Sequence, residues 1–259
     1  DGDRVMGMNR NDSRRHIRAL LLCSCLSGAG NTGADPSVFP VEVNATIPVP
    51  VIASDIFLRS DNDPRSPIWH RVPRYRVTLQ PAPPVHQSVS LQGEVSMRTR
   101  ELDISAARDD ERLYILLSWR DESREATNAY ARFADAAAVQ FALDGGDSTS
   151  YMMGAADTPV NVWYWRAGRA GAENLAAAGF GSTEALPLQN VTAASDFDAD
   201  RARWTVVLSR PLDSEGEYHA RLQGGRPVPF ACALWEGAAA QRDGHKLTTP
   251  GWLRLAFDQ

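Results

Sequence analysis

Two stretches of the chain carry side chains capable of uncommon chemistry. The first is Ser150-Tyr151-Met152-Met153-Gly154, followed closely by Pro159-Val160-Asn161-Val162-Trp163-Tyr164-Trp165-Arg166. The second runs from Phe230 through Trp235-Glu236-Gly237 to Arg242-Asp243-Gly244-His245-Lys246. Lys246 is the single lysine among 27 basic residues; the other 26 are arginines. A genome rich in G and C replaces lysine by arginine wherever either cation serves. The two differ in one chemical respect: arginine cannot shed its proton inside a protein, and lysine can. Lys246 is therefore either a chance survivor or the residue of a site that needs an uncharged amine. The methionine pair has two readings as well. A thioether is a flexible filler of apolar cores and a soft ligand for metals. If the pair sits on a strand, its two side chains face opposite sides, so only one of them can join a given site.

Other chemistries find little support. The chain has no Gly-x-Ser-x-Gly, no His-Glu-x-x-His and no phosphate-binding loop. Its five histidines, at 16, 70, 86, 219 and 245, are scattered without metal-ligand spacing. Its cysteines are Cys23, Cys25 and Cys232, and no Cys-x-x-Cys-His occurs, which excludes covalent c-type haem attachment. The formal charge is −5, with no basic cluster beyond the N-terminus, so nucleic acid is not an expected partner.

The elements that must position these residues read as strands. Leu102, Ile104 and Ala106 alternate with polar residues up to the turn Arg108–Glu111, and Leu113–Trp119 follows as an apolar strand. Val139, Phe141 and Leu143 alternate up to Asp144-Gly145-Gly146-Asp147. Further strands fall at Val160–Trp165, Val191–Phe197, Trp204–Leu208, Phe230–Trp235 and Trp252–Phe257. Many short strands with turns at this spacing predict an antiparallel sandwich. Thr127–Ala138 and Ala172–Ala178 are the two segments with helical character. The first 34 residues have the order of a secretory signal: arginines at 10, 14, 15 and 18, the apolar run Ala19–Leu26, then small residues to Ala34. That run is far shorter than the about 20 residues needed to span a bilayer. The expected organisation is a signal peptide over 1–34, removed on export to the periplasm, and one sandwich domain over 35–259.

These motifs, in this order, resemble the haem b (gamma) subunits of the type II dimethyl sulfoxide reductase family. The matching features are Ala138-Val139-Gln140-Phe141, Met153-Gly154, Pro159–Trp165, Trp204–Leu212, Trp235-Glu236-Gly237 and Arg242–Lys246. The resemblance covers roughly residues 40–259. It implies an all-β, immunoglobulin-like antiparallel β-sandwich with few short helices, similar to family 9 carbohydrate-binding modules. It implies one haem b with axial ligands at Met153 and Lys246. Its partners would be a molybdopterin catalytic subunit and an iron–sulfur subunit, with a c-type cytochrome as external electron carrier. His245, between the Asp-Gly turn and the lysine, is the runner-up ligand. Trp163, Trp165 and Trp235 would wall the haem or else fill the core.

The ligand chemistry is coherent in itself. A thioether favours the ferrous state. An amine binds metal only when neutral, so the metal competes with a proton, and an apolar surrounding helps by lowering the lysine pKa. Two protein ligands leave iron no open position, so the expected role is electron transfer and not catalysis. The competing readings are a haem-free carbohydrate-binding module, and a haem protein that works alone in the periplasm.

Overall fold

The computed structural model describes residues 38–257, apart from 55, 86, 92–96, 128, 131, 147 and 224. The predicted signal peptide over 1–34 lies outside the described residues. The strands are β1 (Val38–Pro40), β2 (Thr46–Val49), β3 (Arg74–Pro81), β4 (Arg100–Arg108), β5 (Arg112–Arg120), β6 (Ala136–Ala142) and β7 (Val160–Arg166). They continue as β8 (Glu173–Ala177), β9 (Glu184–Ala185), β10 (Thr192–Asp198), β11 (Arg203–Pro211), β12 (Val228–Trp235), β13 (Leu247–Thr248) and β14 (Leu253–Phe257). Two short α-helices, α1 (Ile56–Asp61) and α2 (Gln87–Ser90), and one 3-10 turn at Pro67–His70 complete the described elements.

The strands form two layers. The first has the order β10-β11-β5-β4-β3, with β1 parallel to β3. The second has the order β13-β12-β6-β7-β8-β9, and β14 joins β12 to the parallel strand β2. All other pairings are antiparallel. β3 links the layers, because its middle pairs with β4 while Gln80 and Pro81 pair with β13.

The period-2 pattern fills the space between the layers. Leu113, Ile115, Leu117 and Trp119 of β5 point inward, as do Trp204, Val206 and Leu208 of β11. They meet Ala137, Val139 and Phe141 of β6, Trp163 and Trp165 of β7, and Phe230, Cys232 and Leu234 of β12. An aromatic cluster sits at the centre: the Trp165 and Trp204 rings are 5.1 Å apart, and the Trp119 ring lies 6.2 Å from Trp165. The outer face of the first layer is covered by α1 and the 3-10 turn, through Leu58 and Trp69 against Tyr114, Leu116 and Val207.

Both predicted helices are absent. Residues 136–138 begin β6, and 173–177 form β8. Alanine favours helix in isolation by a few tenths of a kcal/mol per residue. Here β6 is the strand between β12 and β7, and all seven of its residues are buried, so tertiary packing overrides the preference. The residues just before β6 are pinned outside a helix by Asp135, which is fully buried. Its carboxylate accepts from Glu125 N at 2.7 Å, Gly237 N at 2.9 Å and Trp204 Nε1 at 3.0 Å.

Asp135→Ala would leave these three donors without a partner, two of them on backbone far apart in sequence. Each orphaned buried donor costs roughly 1–3 kcal/mol. Urea denaturation of Asp135→Ala is expected to show a loss of about 4 kcal/mol; a loss below about 1 kcal/mol would show that this carboxylate does not hold the segment.

Candidate functional site

The outer face of the second layer is apolar as well, and it is where the two stretches meet. Alternation sends Ala136, Ala138 and Gln140 of β6 to this face, together with Ala231, Ala233 and Trp235 of β12 and Val162, Tyr164 and Arg166 of β7. Ala138 lies between Ala233 on one neighbouring strand and Tyr164 on the other. Short side chains across adjacent strands leave a flat recess. Loops raise its walls and close it into a cavity of about 890 Å³, within the range of about 300–1,000 Å³ usual for small-molecule sites.

One wall is the turn 151–153. Met153 has φ +72°, and Gly154 follows at +69°. A left-handed non-glycine backbone is uncommon and costs on the order of 1 kcal/mol or more. Hydrogen bonds hold it in place: Gly154 N donates to Ser150 O at 3.0 Å, Gly179 N to Met153 O at 2.9 Å, and Gln140 Nε2 to Tyr151 O at 2.8 Å. Gly154 is required here, since a Cβ would lie 2.6 Å from the Thr158 carbonyl oxygen. The opposite wall is the turn 241–246. Its Gly244 packs so closely on α2 that a Cβ would lie 2.2 Å from Val89 Cγ2. Lys246 immediately precedes β13, and its carbonyl accepts from Ala82 N at 2.9 Å.

The two walls bring Lys246 Nζ to 3.2 Å from Met153 Sδ, where the amine donates to the thioether. Nζ also lies 5.4 Å from the centre of the Trp235 ring. That ring is fixed on both sides. Its Nε1 donates to Asp243 O at 3.1 Å, and Tyr164 meets it edge-on at 5.6 Å. Lys246 is buried, and among the described residues no carboxylate forms an ion pair with it. Burial therefore pulls its pKa down to about 8, opposed weakly by the charge of Asp243. A soft sulfur and a readily neutralised amine suit a transition metal, not the hard cations that prefer carboxylate oxygen. Among the described residues no group of three His, Cys, Asp or Glu side chains is placed to hold a metal ion. Sδ and Nζ each end an unbranched chain, so both can reorient toward a bound group. The flat alanine floor, the apolar lining and the donor pair fit a haem.

The other expected residues divide. Trp235 lines the cavity, whereas Trp163 and Trp165 do not. Both of the latter point to the opposite face of β7 and are part of the core between the layers, as strand alternation requires. His245 is buried but takes no part in the lining, and its Nδ1 has no hydrogen-bond partner among the described residues. The methionine pair is on a turn, not a strand, so alternation does not separate it, and Met152 lines the cavity beside Met153. Sequence reasoning also missed Tyr151, Phe133 and the alanine floor. The spacing of Ala136, Ala138, Ala231 and Ala233 was the available signal: small residues at every second position of two strands.

Comparison with known proteins shows the chain's family. The ethylbenzene dehydrogenase family profile matches residues 66–186. The gamma subunit of dimethylsulfide dehydrogenase from Rhodovulum sulfidophilum is 43% identical over 218 residues, covering 82% of each chain. The gamma subunit of chlorate reductase from Ideonella dechloratans is 38% identical over 75% of this chain and 79% of its own. A protein of Haloferax mediterranei, provisionally named a respiratory nitrate reductase heme subunit, is 33% identical over 96% of this chain and 86% of its own. Among solved structures, a family 9 carbohydrate-binding module from Caldicellulosiruptor kristjanssonii in complex with cellotriose superposes with a TM-score of 0.46 at 12% identity, covering 83% of this chain and 95% of that one. With relatives this similar over most of their length, the chain belongs to the gamma-subunit family of the type II dimethyl sulfoxide reductases.

Proposed function

We propose that this chain is a non-catalytic, haem-carrying electron-transfer subunit of an oxidoreductase complex. One observation carries the reading: a buried amine with a lowered pKa stands 3.2 Å from a thioether inside an apolar, flat-floored cavity. Met153 and Lys246 would hold a haem b there, which would supply one-electron redox chemistry. Lys246 offers its neutral amine and the Met153 turn presents its sulfur. The alanine floor, Trp235 and Tyr164 would exclude water from the bound group. Two side chains of the protein would hold the group, which supports a carrier over a catalyst. The partners we propose are a molybdopterin catalytic subunit and an iron–sulfur subunit, with a c-type cytochrome as the external carrier. Relatives named as subunits of a dehydrogenase and of reductases support a multi-subunit setting. The signal-like order of the first 34 residues supports export to the periplasm, and no helix among the described residues is long and apolar enough to cross a membrane.

The carbohydrate-binding alternative would need exposed aromatic platforms. Six of the seven tryptophans are buried, and Trp235 is half-buried in the cavity wall. A haem protein acting alone would share the site but not the family setting of complex subunits.

Reconstitution tests the cofactor directly. Purified protein supplied with haem is expected to give a stoichiometric b-type pyridine-haemochrome spectrum, and a blank spectrum would end the proposal. Met153→Ala and Lys246→Ala should each alter the axial-ligand spectrum and weaken haem retention at least tenfold, on the scale of lost ligand-shell contacts. Unchanged spectra in both would show that the iron is held elsewhere.

The haem-free protein has a pH signature of its own. The folded pKa of Lys246, about 8, lies below its ordinary value of 10.5. Between those values the unfolded chain binds more protons, so stability rises with pH across that window, by roughly 3 kcal/mol in all. Lys246→Met should be more stable than wild type below pH 8 and lose that rise. Urea denaturation at pH 7 and pH 10.5 checks it; equal slopes for the two proteins would contradict a desolvated amine.

A further inference from the structure

Arg210 is a buried cation that the site as described does not use. It lies near the end of β11, on the same face as Trp204, Val206 and Leu208, and is fully buried. Its guanidinium centre is 5.2 Å from the Trp163 ring. Nη1 donates to Asn161 Oδ1 at 3.1 Å, Nη2 to the carbonyl of Ala220, and Nε to the carbonyl of Pro211 at 3.4 Å. All these partners are neutral, and no carboxylate among the described residues acts on it. Burial lowers its pKa to about 10, which leaves it charged at neutral pH. An unpaired buried charge costs several kcal/mol, and an apolar side chain of the same length would fill the space without that cost.

Its position gives the charge a use. Asn161 and Trp163, which it touches, are on the core face of β7. Val162 and Tyr164, which alternate with them, are on the cavity face. The cation and the cavity are thus separated by one strand and a side-chain layer on either side, about 12 Å on sheet dimensions. The intervening medium is packed protein. We infer that Arg210 is a fixed positive charge beneath the cavity floor that raises the reduction potential of the group held above it. The inference rests on the haem reading. Adding one electron makes the charge in the cavity more negative by one, and a cation across the strand favours that state. At about 12 Å and an effective dielectric constant of about 20, the interaction is worth about tenfold in the ratio of reduced to oxidised protein.

The test compares the spectroelectrochemical midpoint of haem-loaded wild type, Arg210→Met and Arg210→Lys. Arg210→Met should be harder to reduce by about tenfold at fixed potential, which is about 59 mV for one electron. Arg210→Lys should stay near wild type, and all three should share one axial-ligand spectrum. Equal midpoints in all three, or equal shifts in Met and Lys variants, would overturn the inference while leaving the haem reading intact. Failure of wild type to take up haem would instead sink that reading. Should Arg210→Met not fold, His219→Asp carries the test. His219 is close enough for the Arg210 charge to lower its pKa, so a carboxylate there would offset the cation without removing it. It too should lower the midpoint, and no change would overturn the inference.

Discussion

The buried amine of Lys246 is the constraint around which the site is built. A lysine can be taken out of water without a counter-charge only if it gives up its proton readily or shares its lone pair with something else. Lys246 has the thioether of Met153 at 3.2 Å and the face of Trp235 at 5.4 Å, neither of which neutralises a charge. The arrangement is costly for a protonated amine and well suited to a neutral one. Arginine here would remain charged at neutral pH and could not offer a lone pair. That gives a physical reason for one lysine among 26 arginines.

The rest of the fold keeps that pair in place. The second layer is covered on both faces: by the core on one side and by the loops around the cavity on the other. Large core residues and small floor residues can therefore sit on one strand, as with Val139 and Phe141 against Ala136 and Ala138 of β6. Replacing floor alanines by larger side chains would fill the recess without touching the core. Both turns depend on close-packed glycines: a Cβ at Gly154 would strike the Thr158 carbonyl, and one at Gly244 would displace Val89. Sequence order in each turn, Met-Gly and Asp-Gly-His-Lys, is thus a record of packing as well as of chemistry.

The layered all-β class was legible from alternation at Leu102–Ala106 and Val139–Leu143 and from short apolar runs bounded by turns, such as Leu113–Trp119. The Met153 and Lys246 positions were legible from their motif context and from the rarity of lysine. What could not be read was local conformation set by distant contacts. Ala136–Ala138 looked helical because alanine is helix-favouring alone, and only the strands on either side make it extended. Met152 and Met153 looked like strand residues with opposite faces. A left-handed backbone at Met153, held by Gly179 and Gln140 from elsewhere in the chain, puts both on the cavity. Trp163 and Trp165 carried an aromatic signal without a direction, and register with β6 sends them to the core.

Because Lys246 is the single lysine, isotope labelling with lysine alone reports on one side chain. The most direct test of the account is the NMR signal of that side chain in protein labelled this way, without haem and with reduced haem. The account predicts one ε-methylene signal that titrates near pH 8 in the haem-free protein. On loading with reduced haem it should move far upfield, under the ring current of a macrocycle directly above it, and stop titrating. A signal that stays at its ordinary position and still titrates after haem is bound would contradict it.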